Sequence, residues 1–445
     1  MRVQLNGRFE KVEVTADGEG TVAHAGSALL VAVADKLGLT AALSQALSPA
    51  RERRSAHDPG VVIRDLAVML CDGGDCLSDL GALRDQEDLF GRVASNATAW
   101  RAIDALGGEG MLERLRRARA RARERAWALG ARPERVVFDI DATLLCAHSD
   151  KEQAAGTYKG GFGFHPLCCF IDETEEAPAA ILRPGNAGAN TAADHIEVFD
   201  RALEQLPREV AERAQLVVRC DSAGATHAFT DHLHAARVGF SVGFDLTEDV
   251  RQAVGVIADQ DWVQAIGQDG AERDRAFVAE LSLELAGWPP GTRAICRKER
   301  AHPGAQLSLI DTDGFRHQVF ITDLDGEIAE LDRFHRARAR CEDRVRAAKD
   351  TGMRNLPFRD FDANEAWLEL SLIAQDLLAW TRSLALDGSL ARAEPKRLRY
   401  RLLHQAGRIA RSGRRTQLRL QRSWPWAQAL ATAFARIRVL PAAAP

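Results

Sequence analysis

Apolar positions recur at helical spacing through the first third of the chain and at strand spacing through its middle. Residues 1–22 alternate polar and apolar side chains (Val3, Leu5, Val12, Val14), which predicts a short hairpin. Residues 27–47, SALLVAVADKLGLTAALSQAL, read as two short helices separated by Gly38. Further helices are expected over 60–71, around LSDLGAL at 77–83, over 98–106 and over 111–129. The last of these, MLERLRRARARARERAWAL, is crowded with arginine. It reads either as a solvated helix that snorkels its charges or as a phosphate-facing connector.

After Arg132 and Pro133 the period changes. RVVFDIDATLLCA (135–147) has the β-branched residues and alternation of a core strand, and PLCCFID (166–172) and AAILRPG (179–185) supply the next two, so the early members should be antiparallel. An amphipathic helix over 192–210 leads to a strand at 214–223, a helix from about 225 and a strand at 238–246. Three strands, a crossover helix and a fourth strand ending in Asp point to an α/β core of the ribonuclease H-like kind. Strand and turn signals follow in GTRAICRKE, AQLSLIDTDG and FRHQVFITDLDG; after Glu327 the chain returns to helix, and from Asn364 NEAWLELSLIAQDLLAWTRSL reads as fully packed. This divides the chain into a mainly helical N-terminal region (1–130), the first part of the core (131–250), a β-rich insertion (251–328), the final part of the core (329–385) and a helical basic C-terminal region (386–445).

Composition narrows the function. With 59 Lys and Arg against 63 Asp and Glu, the net charge of −4 excludes a small DNA-coating protein. Local charge differs sharply from that total. Between 391 and 440 thirteen Lys or Arg, among them Arg414, Arg415 and Arg419, face Glu394 alone, which suggests a polyanion contact or a solubilising surface. The eight cysteines form no pair of CxxC knuckles, so reduced thiols in a cytoplasmic protein are expected. The charged N-terminus has no signal-peptide core, and no apolar run reaches membrane-spanning length, so no membrane partner is expected.

The chemistry resides in carboxylates. Asp139 and Asp141 stand at i and i+2 of an apolar strand and share one face, and Thr143 continues it. Buried acids need a positive partner, either a core arginine or a divalent ion. Asp221 ends a second strand, where an N-cap is the plain alternative. The third acid should approach from a helix. Glu342 has Arg338, Arg346 and Lys349 on its helical face, with Glu299 as its competitor and Asp313 and Asp325 behind both. Oxygen-only donors suit Mg²⁺ or Mn²⁺ rather than zinc. Phosphoryl transfer at such a set calls for two ions, roughly 3.5–4 Å apart.

Taken together, VVFDIDATLL (136–145), GFGFHPLCCFID (161–172), LRPGNAGANTAADHI (182–196), VVRCDSA (217–223), RARARCEDRVRAAKD (336–350) and FRDFDANEAW (358–367) form a recognisable pattern. HDPG at 57–60 and DGGDCLSDLGALRDQEDLF at 72–90 extend it over about residues 25–440. The chain resembles the DDE transposases of bacterial insertion sequences, most closely the IS thirteen-eighty family, the group-one DDE-domain transposases. The resemblance implies a ribonuclease H-like core interrupted by a β insertion, and a metal-dependent enzyme that cleaves element ends and joins their 3′ hydroxyls to target DNA. It implies Asp141, Asp221 and Glu342 as the catalytic metal ligands. The D-x-T pattern favours Asp141, with Asp139 either beside it or the true first ligand. Arg338 and Lys349 match the family's basic positions, whereas its usual Tyr is replaced here by Phe334, displaced by one residue. The implied partners are double-stranded DNA with inverted-repeat ends and target DNA, a homodimer holding two ends, and a cytoplasmic, nucleoid-associated setting. A nuclease without strand transfer and a DNA-binding protein on a dead core are the competing classes.

Lesser candidates surround this set. Arg346, Lys159 and His165 are candidate DNA contacts, with packing as the alternative for His165. Asn186 and Asn190 flank a glycine-rich loop that approaches a backbone or simply turns, and Trp262 and Trp288 are either stacking or core residues.

Overall fold

The computed structural model describes residues 15–51, 56–130, 132–147, 150–300 and 314–442. Most of the hairpin expected over 1–22, most of the strand expected at 305–314, and Asp313 lie outside these residues. The helical start follows the sequence pattern closely. Ser27–Lys36 and Leu39–Ala46 are separated by Gly38 at φ 75°, a conformation that glycine adopts without strain. Pro59–Asp72 starts on Asp58, whose carboxylate accepts from the backbone N–H groups of Gly60 (2.8 Å) and Val61 (3.2 Å). Gly60 permits close helix packing, because a Cβ there would lie 2.1 Å from the Ser44 nitrogen. Short turns at Leu77–Leu80 and Gly81–Arg84 precede helices Asn96–Asp104 and Met111–Leu129.

The pillar of the molecule is Phe361–Ala385, apolar around most of its circumference and therefore buried, with Trp367 and Trp380 at its heart. It packs on Ser27–Lys36, Pro59–Asp72 and Met111–Leu129 on one side and on the main sheet on the other.

That sheet holds nine strands: β1 (Arg135–Ala142), β2 (Leu167–Ile171), β3 (Ala179–Ile181), β4 (Gln215–Cys220), β5 (Gly239–Phe244), β6 (Val263–Ile266), β7 (Glu272–Leu281), β8 (Arg293–Arg300) and β9 (Phe315–Thr322). Their spatial order is β6-β7-β8-β9-β5-β4-β1-β2-β3. β1, β2 and β3 are mutually antiparallel, and β4 and β5 run parallel to β1, which makes the centre a ribonuclease H-like core. Strands β6 to β9 continue the same sheet antiparallel from β5 and so cover an edge that would otherwise be open. The helix expected over 192–210 is two helices, Ala192–Leu203 and Arg208–Arg213, because Pro207 cannot donate into a continuous helix.

The C-terminal region is helical at Gly388–Ala391, Pro395–Leu398 and Ala427–Val439, with one hairpin between them. Gly407–Ser412 pairs with Arg415–Leu420, and Thr21–Val22 pairs with the first of these strands. Arginine on its outward face hides this hairpin from a reading of apolar alternation. Among the described residues no single helix is long and apolar enough to cross a membrane. All eight cysteines carry free thiols.

Candidate active site

Strand register brings the first two acids together. β1 and β4 are parallel and pair Asp139 with Arg219 and Ile140 with Cys220. The next residues, Asp141 and Asp221, therefore leave neighbouring strands side by side at their carboxyl ends, where open α/β sheets place their ligands. The same register gives Asp139 its partner. Arg219 donates to it twice, at 2.7 Å from Nε and 2.8 Å from Nη2, and also meets Asp172 at 2.9 Å and the Phe334 carbonyl at 2.9 Å. The Arg219 guanidinium lies 4.8 Å from the Phe334 ring centroid, so Phe334 meets a cation through its ring face. Burial pushes the Asp139 carboxyl up to about 6, while Arg219 pulls it back towards the ionised form. Both acids share a face, as expected from their spacing, but Asp139 already has a bidentate guanidinium.

Asp141 has no such partner. Its Oδ1 accepts from the Ala142 backbone N–H at 3.0 Å. Burial raises its carboxyl to about 6; Arg338 opposes that rise, and Asp221 and Glu342 add to it. Arg338, Asp221 and Glu342 thus all act on Asp141 electrostatically. Asp221 also caps the short turn Ser222–Gly224, accepting from Ala223 N at 3.0 Å, so the N-cap reading of this residue holds.

Glu342 is exposed on the first turn of Arg340–Ala348, a helix laid over β1 and β2 with Cys341 buried beneath it. Its neighbours tether the helix: Arg340 to Asp172 (3.1 Å), Arg344 to Glu175 (3.0 Å) and Lys349 to the Leu144 carbonyl (3.1 Å). Arg338 lies just before it in the turn Ala337–Ala339. A cleft of about 810 Å³ opens beside Asp221, and Arg251, Arg336, Arg338 and His335 line it. The His335 ring stacks on Phe320 at 4.4 Å, and burial drives its pKa down to about 3, so it adds no charge.

The other anticipated residues are dispersed. Arg346 is exposed but paired with Asp343 (2.6 Å) and Glu394 (3.1 Å). Lys159 is exposed, with its ammonium 5.5 Å from the Tyr158 ring centroid. His165 is buried with Nδ1 3.2 Å from the Ala187 carbonyl, and burial lowers its pKa. Arg414, Arg415 and Arg419 are exposed on the hairpin. Glu299 is engaged by Arg273 (3.1 Å) and Arg297 (3.4 Å) in β8, and Asp325 is exposed after β9. Asn186 and Asn190 are exposed in their loop. Trp262 carries Lys298 over its ring at 4.0 Å, and Trp288 packs against His227 (4.3 Å) and Phe244 (5.6 Å).

In the arginine-rich helix Arg114, Arg117 and Arg121 are exposed, as a solvated helix requires, but its inward arginines are closed within the protein. Arg119 and Arg123 are fully buried, and Arg123 is bound by Asp376 and by Glu176 at 2.5 Å. Arg119 meets Glu369 (3.3 Å) and Asp376 (3.3 Å), and Arg116 meets Glu369 at 2.6 Å. These residues join the helix to the central pillar and to the β2–β3 turn. Arg219, Asp172, Arg119 and Arg123 were not anticipated as partners. Sliding RVVFDID against QLVVRCD in parallel register would have set Asp139 against Arg219.

Two small clusters among the described residues have donor atoms mutually within 4.8 Å and are compatible with metal coordination: His24, Asp72 and His404, and Asp75, Cys76 and Asp79. In the first, His24 Nδ1 lies 2.6 Å from Asp72 and His404 Nε2 3.4 Å from it, a tie between the N- and C-terminal regions. Asp141, Asp221 and Glu342 do not all close to that limit. Their donor set is nonetheless all oxygen. One member, Asp141, is a half-buried carboxyl raised first by burial and then by its acidic neighbours, an accumulation of negative charge that a divalent cation would relieve.

The chain matches a family model described as Transposase DDE domain group 1 over residues 5–442. No curated protein is significantly similar to it. Among solved structures it is similar to a piggyBac transposase in a synaptic complex with hairpin DNA, at 7% identity and a TM-score of 0.42, over 85% of this chain and 80% of that one.

Proposed function

The chain belongs to the group 1 DDE-domain transposases, and from that premise we propose that it is an insertion-sequence transposase of the IS thirteen-eighty type. It hydrolyses a phosphodiester at each element end and joins the freed 3′ hydroxyls to target DNA. The observation that carries this reading is the parallel β1–β4 register. It sets Asp141 beside Asp221 while Asp139 is neutralised by Arg219.

Asp141, Asp221 and Glu342 would hold Mg²⁺, or Mn²⁺ in its place. Bound there, divalent ions activate water or a 3′ hydroxyl as nucleophile and stabilise the leaving oxygen. Arg338, whose charge opposes the rise of the Asp141 carboxyl, would hold the non-bridging oxygens of the scissile phosphate. Asp139 and Arg219 act as positioning residues: their buried pair holds the β1–β4 register that aligns the two acids. Lys349 fixes the far end of the Glu342 helix. Arg414, Arg415 and Arg419 take phosphates away from the site, and Lys159 lies on a separate exposed loop. His165 and Arg346 are already engaged within the protein and support the fold around the DNA path. Two ends and coordinated joining require a second copy of the chain, acting on nucleoid DNA.

Labelled duplex carrying the element's own ends and flanks tests the proposal. Cleavage and joining in Mg²⁺, both abolished by EDTA and by Asp221→Asn, are expected. Cutting without joining would reduce the activity to that of a nuclease. End binding without any cutting would leave a DNA-binding protein.

A further inference from the structure

An aromatic cluster lies outside the catalytic core, at the base of the C-terminal hairpin. Tyr400, Trp424 and Trp426 meet edge to face, with centroids 5.5 Å apart for Tyr400–Trp424, 6.0 Å for Tyr400–Trp426 and 5.4 Å for Trp424–Trp426. Tyr400 is 63% exposed and Trp424 and Trp426 are half-buried, whereas Trp367 and Trp380 in the core are at most 1% exposed. The arrangement is held in place. Trp424 Nε1 donates to the Arg401 carbonyl at 2.8 Å, and the Arg401 guanidinium lies 4.9 Å from the Trp426 centroid. A cavity of about 520 Å³ beside the cluster is lined by Lys396, Arg399, Tyr400, His404, Gln421 and Trp424 among others, with no acid.

Aromatic cages also take cations, but no acid lines this one, and its Lys396 is already paired with Asp350 at 3.0 Å. The adjoining hairpin is cationic. Arg408 stands directly opposite Arg419, a like-charge pair that destabilises a lone hairpin, and Arg415 shares their face. Open ring faces beside unopposed guanidinium groups suit a ligand that is flat, apolar on its faces and anionic along its length. We propose that Tyr400, Trp424 and Trp426 form a stacking site for unpaired bases of single-stranded DNA, with the hairpin arginines holding the flanking phosphates. The choice of DNA as the ligand rests on the proposed function.

The test uses the full chain in EDTA at fixed salt, so that no cleavage is needed. Tryptophan fluorescence is followed while an oligothymidylate of about 12 nucleotides, or a duplex of equal length, is added. Quenching by the single strand is expected at lower concentration than by duplex. Tyr400→Ala should weaken single-strand binding about tenfold or more, Trp426→Ala should do the same, and Tyr400→Phe should bind as the parent does. The salt dependence should survive Tyr400→Ala, since no phosphate contact is removed. Circular dichroism of Tyr400→Ala checks the fold. Unchanged single-strand binding in a folded Tyr400→Ala protein, or equal binding of duplex and single strand, would overturn the inference. Neither result bears on end cleavage, whose loss or survival in Asp221→Asn tests the proposed function separately.

Discussion

The helix Met111–Leu129 and the hairpin Gly407–Leu420 are both dense in arginine, and they are built in opposite ways. In the helix, Arg116, Arg119 and Arg123 fall at helical spacing on the inward stripe, opposite Glu365, Glu369 and Asp376 on the central pillar. In the hairpin, Arg408, Arg415 and Arg419 share an outward face on which Gln417 and Ser412 are the only hydrogen-bonding company. The inward stripe of the helix closes its charge inside the protein, whereas on the hairpin Arg411 alone meets an acid, Asp88 at 2.5 Å, and the face of Arg408, Arg415 and Arg419 is left open to a partner outside. The comparison teaches that an arginine run says little until the acids that could face it are located. The same contrast separates Asp139, closed by Arg219, from Asp141, which lacks a matching base.

Breaking a closed pair should have the largest effect. Arg123→Ala leaves Glu176 buried without its guanidinium and Asp376 with Arg119 alone, so a loss of about 3–5 kcal/mol in urea unfolding is expected. Asp139→Asn should also destabilise, by about 3 kcal/mol on the same measurement, because it leaves Arg219 without a bidentate acceptor.

The open acid should behave in the opposite sense. The folded Asp141 carboxyl is raised to about 6, against about 3.9 in the unfolded chain. Below about pH 3 both states hold the proton and the group is neutral to stability. As pH rises to about 6 the unfolded state ionises first, so the folded state loses stability, and that loss persists above. Asp141→Asn should therefore stabilise the metal-free protein by on the order of 2 kcal/mol at pH 8 and by almost nothing at about pH 3, read from unfolding in EDTA across that range.

The hairpin should show the smallest effect on stability. Replacing Arg408, Arg415 and Arg419 together with Gln should shift unfolding by less than about 1 kcal/mol. It should also make the salt dependence of duplex binding shallower by about 2–3 in the slope of log K against log salt.

Much of this architecture was legible beforehand. The 3.6 and 2.0 periodicities marked the helices up to Leu129 and strands β1 to β5, and Gly38 marked the break between the first two helices. The acids Asp141 and Asp221 were visible as strand-end carboxylates in apolar surroundings. What periodicity cannot carry is pairing across distant segments. The Arg123–Asp376 contact joins residues far apart in sequence, and its signal was an acid inside an apolar helix that had no visible reason to be there. The hairpin was hidden for a different reason: its exposed face is charged, and its inner face offers only Ile409, Leu418 and Leu420. Asp139 was the hardest residue to assign, because spacing alone makes it equivalent to Asp141, and the register to Arg219 separates them.

The most direct test of the account is a Mn²⁺ titration followed by electron paramagnetic resonance, on the parent protein and on Asp141→Asn, Asp221→Asn and Glu342→Gln. Mn²⁺ binding in the parent, lost or strongly weakened in each of the three variants, is the expected result. Binding undiminished in Asp141→Asn and Asp221→Asn would contradict the account and move the ion to another site, with His24, Asp72 and His404 the first place to look.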